Sequence, residues 1–280
     1  MPPAIDTSLP APFSFDQSVV FICVDVESHE KAHHRITEVG IASLDTRDLI
    51  DVAPGNDGEN WRSKIYARHF RIKEHKHLIN HQFVNGCPDR FDFGSSEFYS
   101  LDEIKTKVGE CFQSPYCALP PGGAEPCFDN VGELRKIILL GHDTSTDVRY
   151  LQQLGFNPLE LPNILELQDT TTLYRVWRRE QNTTSLGRIL YDFNIAGFNL
   201  HNAGNDAVFT VQSMLAICVR EAAIRGSDQL DTMHNDNQAA RITAMTEEAR
   251  QKAKEEAEGW SDMDMSNDGG VPQGISFRSH

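Results

Sequence analysis

Residues 18–27, SVVFICVDVE, crowd valine, isoleucine and phenylalanine into a run with almost no polar interruption. A strand of that composition has both faces covered, so it belongs inside a sheet with layers on either side. Yet the run ends in Asp25 and Glu27. Side chains two apart on a strand share a face, so both carboxylates leave the same side of a buried strand. Like charges placed that way repel one another and resist burial unless a cation neutralises them. Taken alone, the pair reads first as a polar strand end facing water, since D-x-E arises by chance about once in a chain of this size.

Other segments supply the layers. Residues 36–45 and 64–72 read as second and third strands in an antiparallel meander. Residues 101–112 carry apolar positions at helical spacing behind acids in the first turn. Residues 114–126 are a Pro- and Gly-containing loop, and 135–141, RKIILLG, a second central strand. A helix over 144–156 closes at Gly155, a short strand follows at 163–170, and helices are expected over 171–179, 185–193 and 203–225. Antiparallel strands first and βα units after make a mixed sheet flanked by helices, an α/β domain. The expected organisation is an irregular segment at 1–16, one domain over 17–226 and a charged tail over 227–280. The tail holds eleven acids against five Lys/Arg. It is read as largely disordered, with a solvated helix over 237–260 as the alternative.

A net charge of −15 argues against a non-specific nucleic-acid coat, but not against an enzyme that meets phosphates through bound metal and a local basic strip. The six cysteines form no C-x-x-C pair and call for neither zinc nor a disulfide framework; Cys23 and Cys218 read as core. The N-terminus lacks the marks of a secretory or transit sequence, and no run is read as membrane-spanning. The expectation is an intracellular protein, cytoplasmic or nuclear, without membrane association.

Two further acids and two histidines gather where strands end. Asp147 follows the 135–141 strand in the first turns of its helix, where an acid is also favoured by the helix dipole alone. If the two central strands are neighbours, Asp147 reaches Asp25 and Glu27. His142, at the strand end, is expected to make a structural bond there and not to serve as a metal ligand. LHNAGNDAVFT (residues 200–210) puts Asp206 in the first turn of an apolar helix and His201 in the loop before it, with Asn202 as a cap. Four carboxylates suit two hard cations, Mg2+ or Mn2+, which clamp the attacking and leaving oxygens of a phosphoryl displacement. A histidine beside them can take the proton of the attacking water.

In order, DVE (25–27), HDTSTD (142–147) and HNAGND (201–206) resemble the DEDDh class of 3′→5′ exonucleases, whose fold is RNase H-like. The resemblance runs over residues 18–222. More narrowly, ARHFRIKEHKHLIN, RFDFGSSEF and SLGRILYDF look like a fungal subgroup that includes a protein linked genetically to an mRNA-export DEAD-box helicase. The resemblance implies that Asp25, Glu27, Asp147 and Asp206 bind metal and that His201 is the general base. Three positions depart from the usual pattern: Ser28 stands for Thr, Asp143 for Asn, and Thr146 for an apolar residue. None is a ligand position, but Asp143 and Thr146 bear on how a terminal nucleotide is held.

Residues 61–81 hold six Lys/Arg against one acid, Glu74, with Trp61, Tyr66 and Phe70 interleaved. Such a strip suits a single strand of nucleic acid, RNA or DNA. It also suits a solvated strand face with its aromatics turned inward. Ser28, His142, Arg68, Arg71 and Lys73 are the expected substrate contacts, and Arg175, Arg178 and Arg179 a second phosphate contact. The competing function is a non-catalytic RNase H-like module that recruits partners, with the tail as a possible protein-binding segment. Retention of all five motif residues favours catalysis, because a scaffold has no physical need to bury four like charges.

Overall fold

The computed structural model describes residues 2–12, 18–117 and 134–261. The buried run becomes β1 (Val20–His29), an interior strand of a six-stranded sheet, as its composition demands. β2 (Ala32–Asp45) returns antiparallel beside it, and β3 (Tyr66–Ile72) pairs antiparallel with β2. β4 (Glu97–Tyr99) then pairs parallel with β3 and forms one edge. It leads into α1 (Leu101–Glu110), whose N-terminus is closed by a capping box between Ser100 and Glu103. β5 (Ile137–Gly141) lies parallel to β1 on its other side, and α2 (Thr144–Gln153) crosses to β6 (Ile164–Asp169), the far edge. The order across the sheet is β4-β3-β2-β1-β5-β6. Three helices follow: α3 (Thr170–Arg178), α4 (Leu186–Asp192) and α5 (Ala203–Ile224).

Alternation along the strands sorts the core into layers. Val20, Ile22, Val24 and Val26 point one way, onto Ile104 and Val108 of α1 and Val148 and Leu151 of α2. Cys23 and Leu140 point the other way, onto Ala207, Val208, Val211, Met214 and Leu215 of α5. The back of α5, through Phe209, Ala216 and Ile217, packs on Tyr174 of α3 and Ile189 and Leu190 of α4. α5 is therefore covered all round over residues 203–217, whereas Cys218, read as core from its apolar surroundings, is exposed on the helix's later turns. The helix's 22 residues are long and apolar enough to cross a membrane by length and composition, contrary to the reading that no run is. It lies in the core instead, and its buried Asn205, Asp206, Thr210, Gln212 and Ser213 would be costly in lipid.

The chain divides into two compact units, Met1–Leu230 and Asp231–His280. α6 (Asp228–Ser261) is helical, so of the two readings of the charged tail the helix is the one adopted over that span. It is rich in Ala, Glu, Gln, Arg and Lys, which favour helix without any apolar face. Residues 262–280 of the tail and residues 118–126 of the expected loop lie outside the described residues. Residues 2–12 lack regular structure, as expected, and the Ile5 amide donates to the Ala222 carbonyl of α5 (3.0 Å).

Candidate active site

Strand register lines up side chains in two rows on the sheet face that α5 covers. Asp25 lies opposite Gly40, and Gly40 opposite His69; Glu27 lies opposite Glu38, and Glu38 opposite Arg71. Residues directly opposite on antiparallel strands share a face. Gly40 leaves a gap in its row, and the first turn of α5 occupies it. A Cβ at position 40 would sit 1.9 Å from the Ala203 carbonyl oxygen and 2.1 Å from its carbon. The helix thus starts directly on the sheet, beside Asp25 and Glu27.

Asn202 caps α5 by accepting from the Asn205 amide (3.2 Å), while its own amide nitrogen donates to the carbonyls of Cys87 (3.2 Å) and Pro88 (3.3 Å). Asp206 follows in the first turn. Its Oδ2 accepts from the His201 backbone amide (2.9 Å), and its Oδ1 is buried with no hydrogen-bond partner. His201 itself has φ 65°, a left-handed conformation that costs a non-glycine residue about 1–2 kcal/mol. Its ring is 47% exposed and its Nδ1 lies 4.0 Å from Glu27 Oε1. Glu27, His201 and Asp206 each offer a ligand atom within 4.8 Å of the other two. From the other side of the sheet, Asp147 of α2 reaches over the strand end, where its Oδ1 accepts from the Val26 amide (3.0 Å).

The carboxyls feel burial and each other. Burial, then Asp147, Asp206, Glu27 and Glu38, push Asp25 well above the ordinary carboxyl range. Burial, with Glu38 and Asp206, raises Glu27 to about 8. Asp206 rises to about 7, again through burial, against the lowering effect of the His201 amide. Asp147 is raised by burial despite its bond from Val26. Such a cluster gains from positive charge placed among it. All its donors but one are carboxylate oxygens, and one buried oxygen lacks a partner, so the residues fit a hard divalent cation.

Residues 20–217 match the DEDDh family described as DNA polymerase III subunit epsilon-like, C-terminal domain. The chain belongs to this family. A DEDDh domain accounts for the mixed sheet flanked by helices, the RNase H-like architecture expected from the motifs. An uncharacterized nucleolar protein of Schizosaccharomyces pombe is 26% identical over 201 residues, 69% of this chain and 67% of that protein. The Saccharomyces cerevisiae protein named Good for full DBP5 activity protein 2 is 27% identical over 232 residues, 76% of this chain. An uncharacterized S. cerevisiae protein is 25% identical over 237 residues, 79% of this chain. The chain spans only 38% and 45% of those two budding-yeast proteins. Among solved structures, the nuclease domain of 3′hExo, a DEDDh family member bound to rAMP, aligns with a TM-score of 0.41 and 12% identity over 74% of this chain and 92% of that one.

The departures from the DEDDh pattern have local explanations. Asp143 is the N-cap of α2 with φ 76° and ψ 51°, the left-handed region that Asn and Asp tolerate better than most residues. Replacing Asn by Asp keeps that backbone. Thr146 donates its hydroxyl to Asp143 Oδ2 (2.8 Å) and accepts from Arg149 (2.8 Å), so the two unusual residues hold each other. Ser28 donates to Tyr150 Oη (3.1 Å), which ties the end of the first motif to the helix that bears Asp147. His142 meets the Thr170 hydroxyl through Nδ1 (2.8 Å), a structural bond across a strand end, as expected.

The basic strip is a correction. Arg68 points to the opposite sheet face from the acid cluster, toward α1, where it is 8% exposed and held by Glu97 through two bonds (2.8 and 2.7 Å). Arg71 shares the acids' face but is buried against Asp89 and the Lys76 carbonyl. Lys73 pairs with Glu103 at the start of α1 (3.2 Å). Phe70 is fully buried, and the Trp61 indole donates to the Val52 carbonyl (2.8 Å). β4 pairs along the edge of β3 and, with α1, buries Arg68, while Arg71 is buried on the other face; Lys73 (52% exposed) and Tyr66 stay at the surface. Three residues long, β4 shows no sequence pattern, so β3 passes for an exposed strand. Glu38 and His69, both buried and bonded to each other, also escape sequence reasoning. Their one signal is a glutamate just before the apolar stretch Val39–Ala42 of β2, which reads as one polar member of an alternating strand.

Proposed function

We propose that the chain is a metal-dependent 3′→5′ exonuclease acting on RNA or single-stranded nucleic acid. The observation that carries this is the meeting of Glu27, Asp206 and His201 at the end of β1, around a buried and unpartnered carboxylate oxygen. Asp25, Glu27, Asp147 and Asp206 would hold two Mg2+ or Mn2+ ions, which when bound supply the charge that an in-line phosphoryl displacement needs at its attacking and leaving oxygens. His201 would accept the proton of the attacking water. Its position suits that role: it lies outside the helix, half-exposed, with its backbone amide pinned to Asp206 and its ring free to face the cluster. Ser28, through Tyr150, and the Asp143–Thr146 pair would shape the mouth that receives the terminal nucleotide. The nucleolar name of one relative favours RNA and a nuclear site of action.

A 5′-labelled single strand incubated with the protein and Mn2+ should shorten stepwise from its 3′ end, and a chelator should stop it. His201→Ala is expected to lower the rate about 10²–10⁴-fold while leaving Mn2+ binding, followed by calorimetry, near the wild-type value. A wild-type protein that is folded and inert on RNA and DNA would remove the reading. It would favour a recruiting module, for which the DBP5 name of another relative, with a length well beyond this chain, gives the grounds.

A further inference from the structure

We infer that Glu38, held by His69 and Ser96, is a positioning residue that fixes the third motif against the first; its consequence for catalysis rests on the exonuclease reading above. Glu38 stands directly opposite Glu27 on the same sheet face, but the two carboxylates are used differently. Glu27 keeps an oxygen directed at His201. Glu38 Oε2 accepts from His69 Nε2 (2.9 Å) and from the backbone amide of Ala203 at a longer 3.4 Å. Ala203 is the first residue of α5, and its amide is among those that no carbonyl within the helix can satisfy.

The remainder of the chain of bonds is also closed. His69 Nδ1 lies 2.9 Å from Ser96 Oγ. With Nε2 facing Glu38 and Nδ1 facing the Ser96 hydroxyl, which can donate or accept, both ring nitrogens are matched. Glu38 is 4% exposed and His69 wholly buried. Gly204 packs so closely on this histidine that a Cβ there would lie 2.8 Å from His69 Cβ. A sealed carboxylate beside Glu27 raises the repulsion in the cluster, and an apolar residue at position 38 would relieve it. What the carboxylate provides is a fixed seat. It joins β2, β3 and the loop before β4 to the first amide of α5, three residues before Asp206 and two after His201. Because its bonded oxygen is committed to His69 and Ala203, Glu38 acts through the helix and not as a ligand.

The test compares Glu38→Ala with Glu38→Gln in the full chain, reading amide hydrogen exchange over residues 201–206, Mn2+ affinity by calorimetry, and kcat and KM on single-stranded RNA. Glu38→Ala is expected to expose the first-turn amides to faster exchange and to weaken Mn2+ binding and kcat by about tenfold or more, with KM little changed. In Glu38→Gln the amide oxygen can take both donors, so exchange protection and most of the Mn2+ affinity should return. Wild-type exchange and affinity in Glu38→Ala would overturn the inference. So would a Glu38→Gln protein with full protection but affinity as poor as the alanine variant, since that outcome assigns the effect to charge. Should Glu38→Ala fail to fold, Ser96→Ala should show the same changes at smaller size, and no change there counts against the inference. If wild type neither binds Mn2+ nor cleaves, the exonuclease reading fails, while the exchange contrast still decides whether the seat exists.

Discussion

Asp206→Asn is expected to abolish cleavage and, in the presence of chelator, to make the protein more stable than wild type. The two effects share one cause. Asp206 is buried among acids, one of its oxygens has no partner, and its carboxyl is raised from 3.8 to about 7 by burial and by Glu38, against the bond from the His201 amide. Glu27 is raised from 4.5 to about 8. A carboxyl that holds its proton more tightly when folded favours the fold at low pH and penalises it once ionised. Between about pH 4 and 8 the folded state therefore binds more protons than the unfolded chain, and stability falls as pH rises through that window. Metal-free wild type should lose melting temperature from pH 5 to pH 8. The Asp206→Asn substitution removes one contributor and flattens the slope, while the new side-chain oxygen still accepts from His201. The gain at pH 8 should be roughly 2 kcal/mol, or about 4–8 °C for a domain of this size. Mn2+ at pH 8 should raise the wild-type melting temperature and leave the variant nearly unmoved. Cleavage should fall at least about a thousandfold, several kcal/mol of transition-state charge stabilisation. A variant less stable than wild type in chelator at pH 8 would mean that the acids are not held in a strained cluster.

The parts of this site that could be read in advance are those where residue type and local geometry coincide. The apolar run of β1 had to be interior, and its period of two put Asp25 and Glu27 on one face. HNAGND had to end a loop and start a helix, because Asn202 caps and the following residues are apolar; the structure places His201 outside α5 and Asp206 in its first turn. Pairings across the sheet were not legible. Arg68 and Arg71 look like a basic strip in the sequence, and only the register shows that they point to opposite faces and meet Glu97 and Asp89. β4 is too short to carry a pattern, so nothing announced that β3 would be paired on both edges. Glu38 looks like the polar member of an alternating strand until the approach of α5 buries it. α6 had the propensity to be helical but no apolar face, so the sequence favoured disorder there and the helix stood only as the alternative.

Gly40→Ala is expected to cost about 3–5 kcal/mol and to take the site apart with it. The added methyl would lie 1.9 Å from the Ala203 oxygen, 2.1 Å from its carbon and 2.5 Å from the Gly204 nitrogen. These are backbone atoms of a helix start, which cannot rotate aside as a side chain would. Relief requires α5 to lift from the sheet or β2 to bow outward. Both the Asn202 cap and the Ala203–Glu38 bond resist that movement, and either route carries Asp206 away from Glu27. At about 2–4 °C per kcal/mol, the melting temperature should drop by roughly 6–20 °C, and the folded fraction should bind Mn2+ poorly. Gly109→Ala is the matched control. Gly109 lies within α1, the nearest atom to its added Cβ is a Phe156 ring carbon at 3.4 Å, and alanine is the better helix former, so that variant should be neutral or up to about 1 kcal/mol more stable. If both alanines behave alike, α5 does not rest on β2 as described. If only Gly40→Ala fails, the gap in the row between Asp25 and His69 is what admits the helix backbone. Glu27, Asp206 and His201 are then brought together by a missing side chain, since any larger residue at position 40 would hold the third motif away from the first.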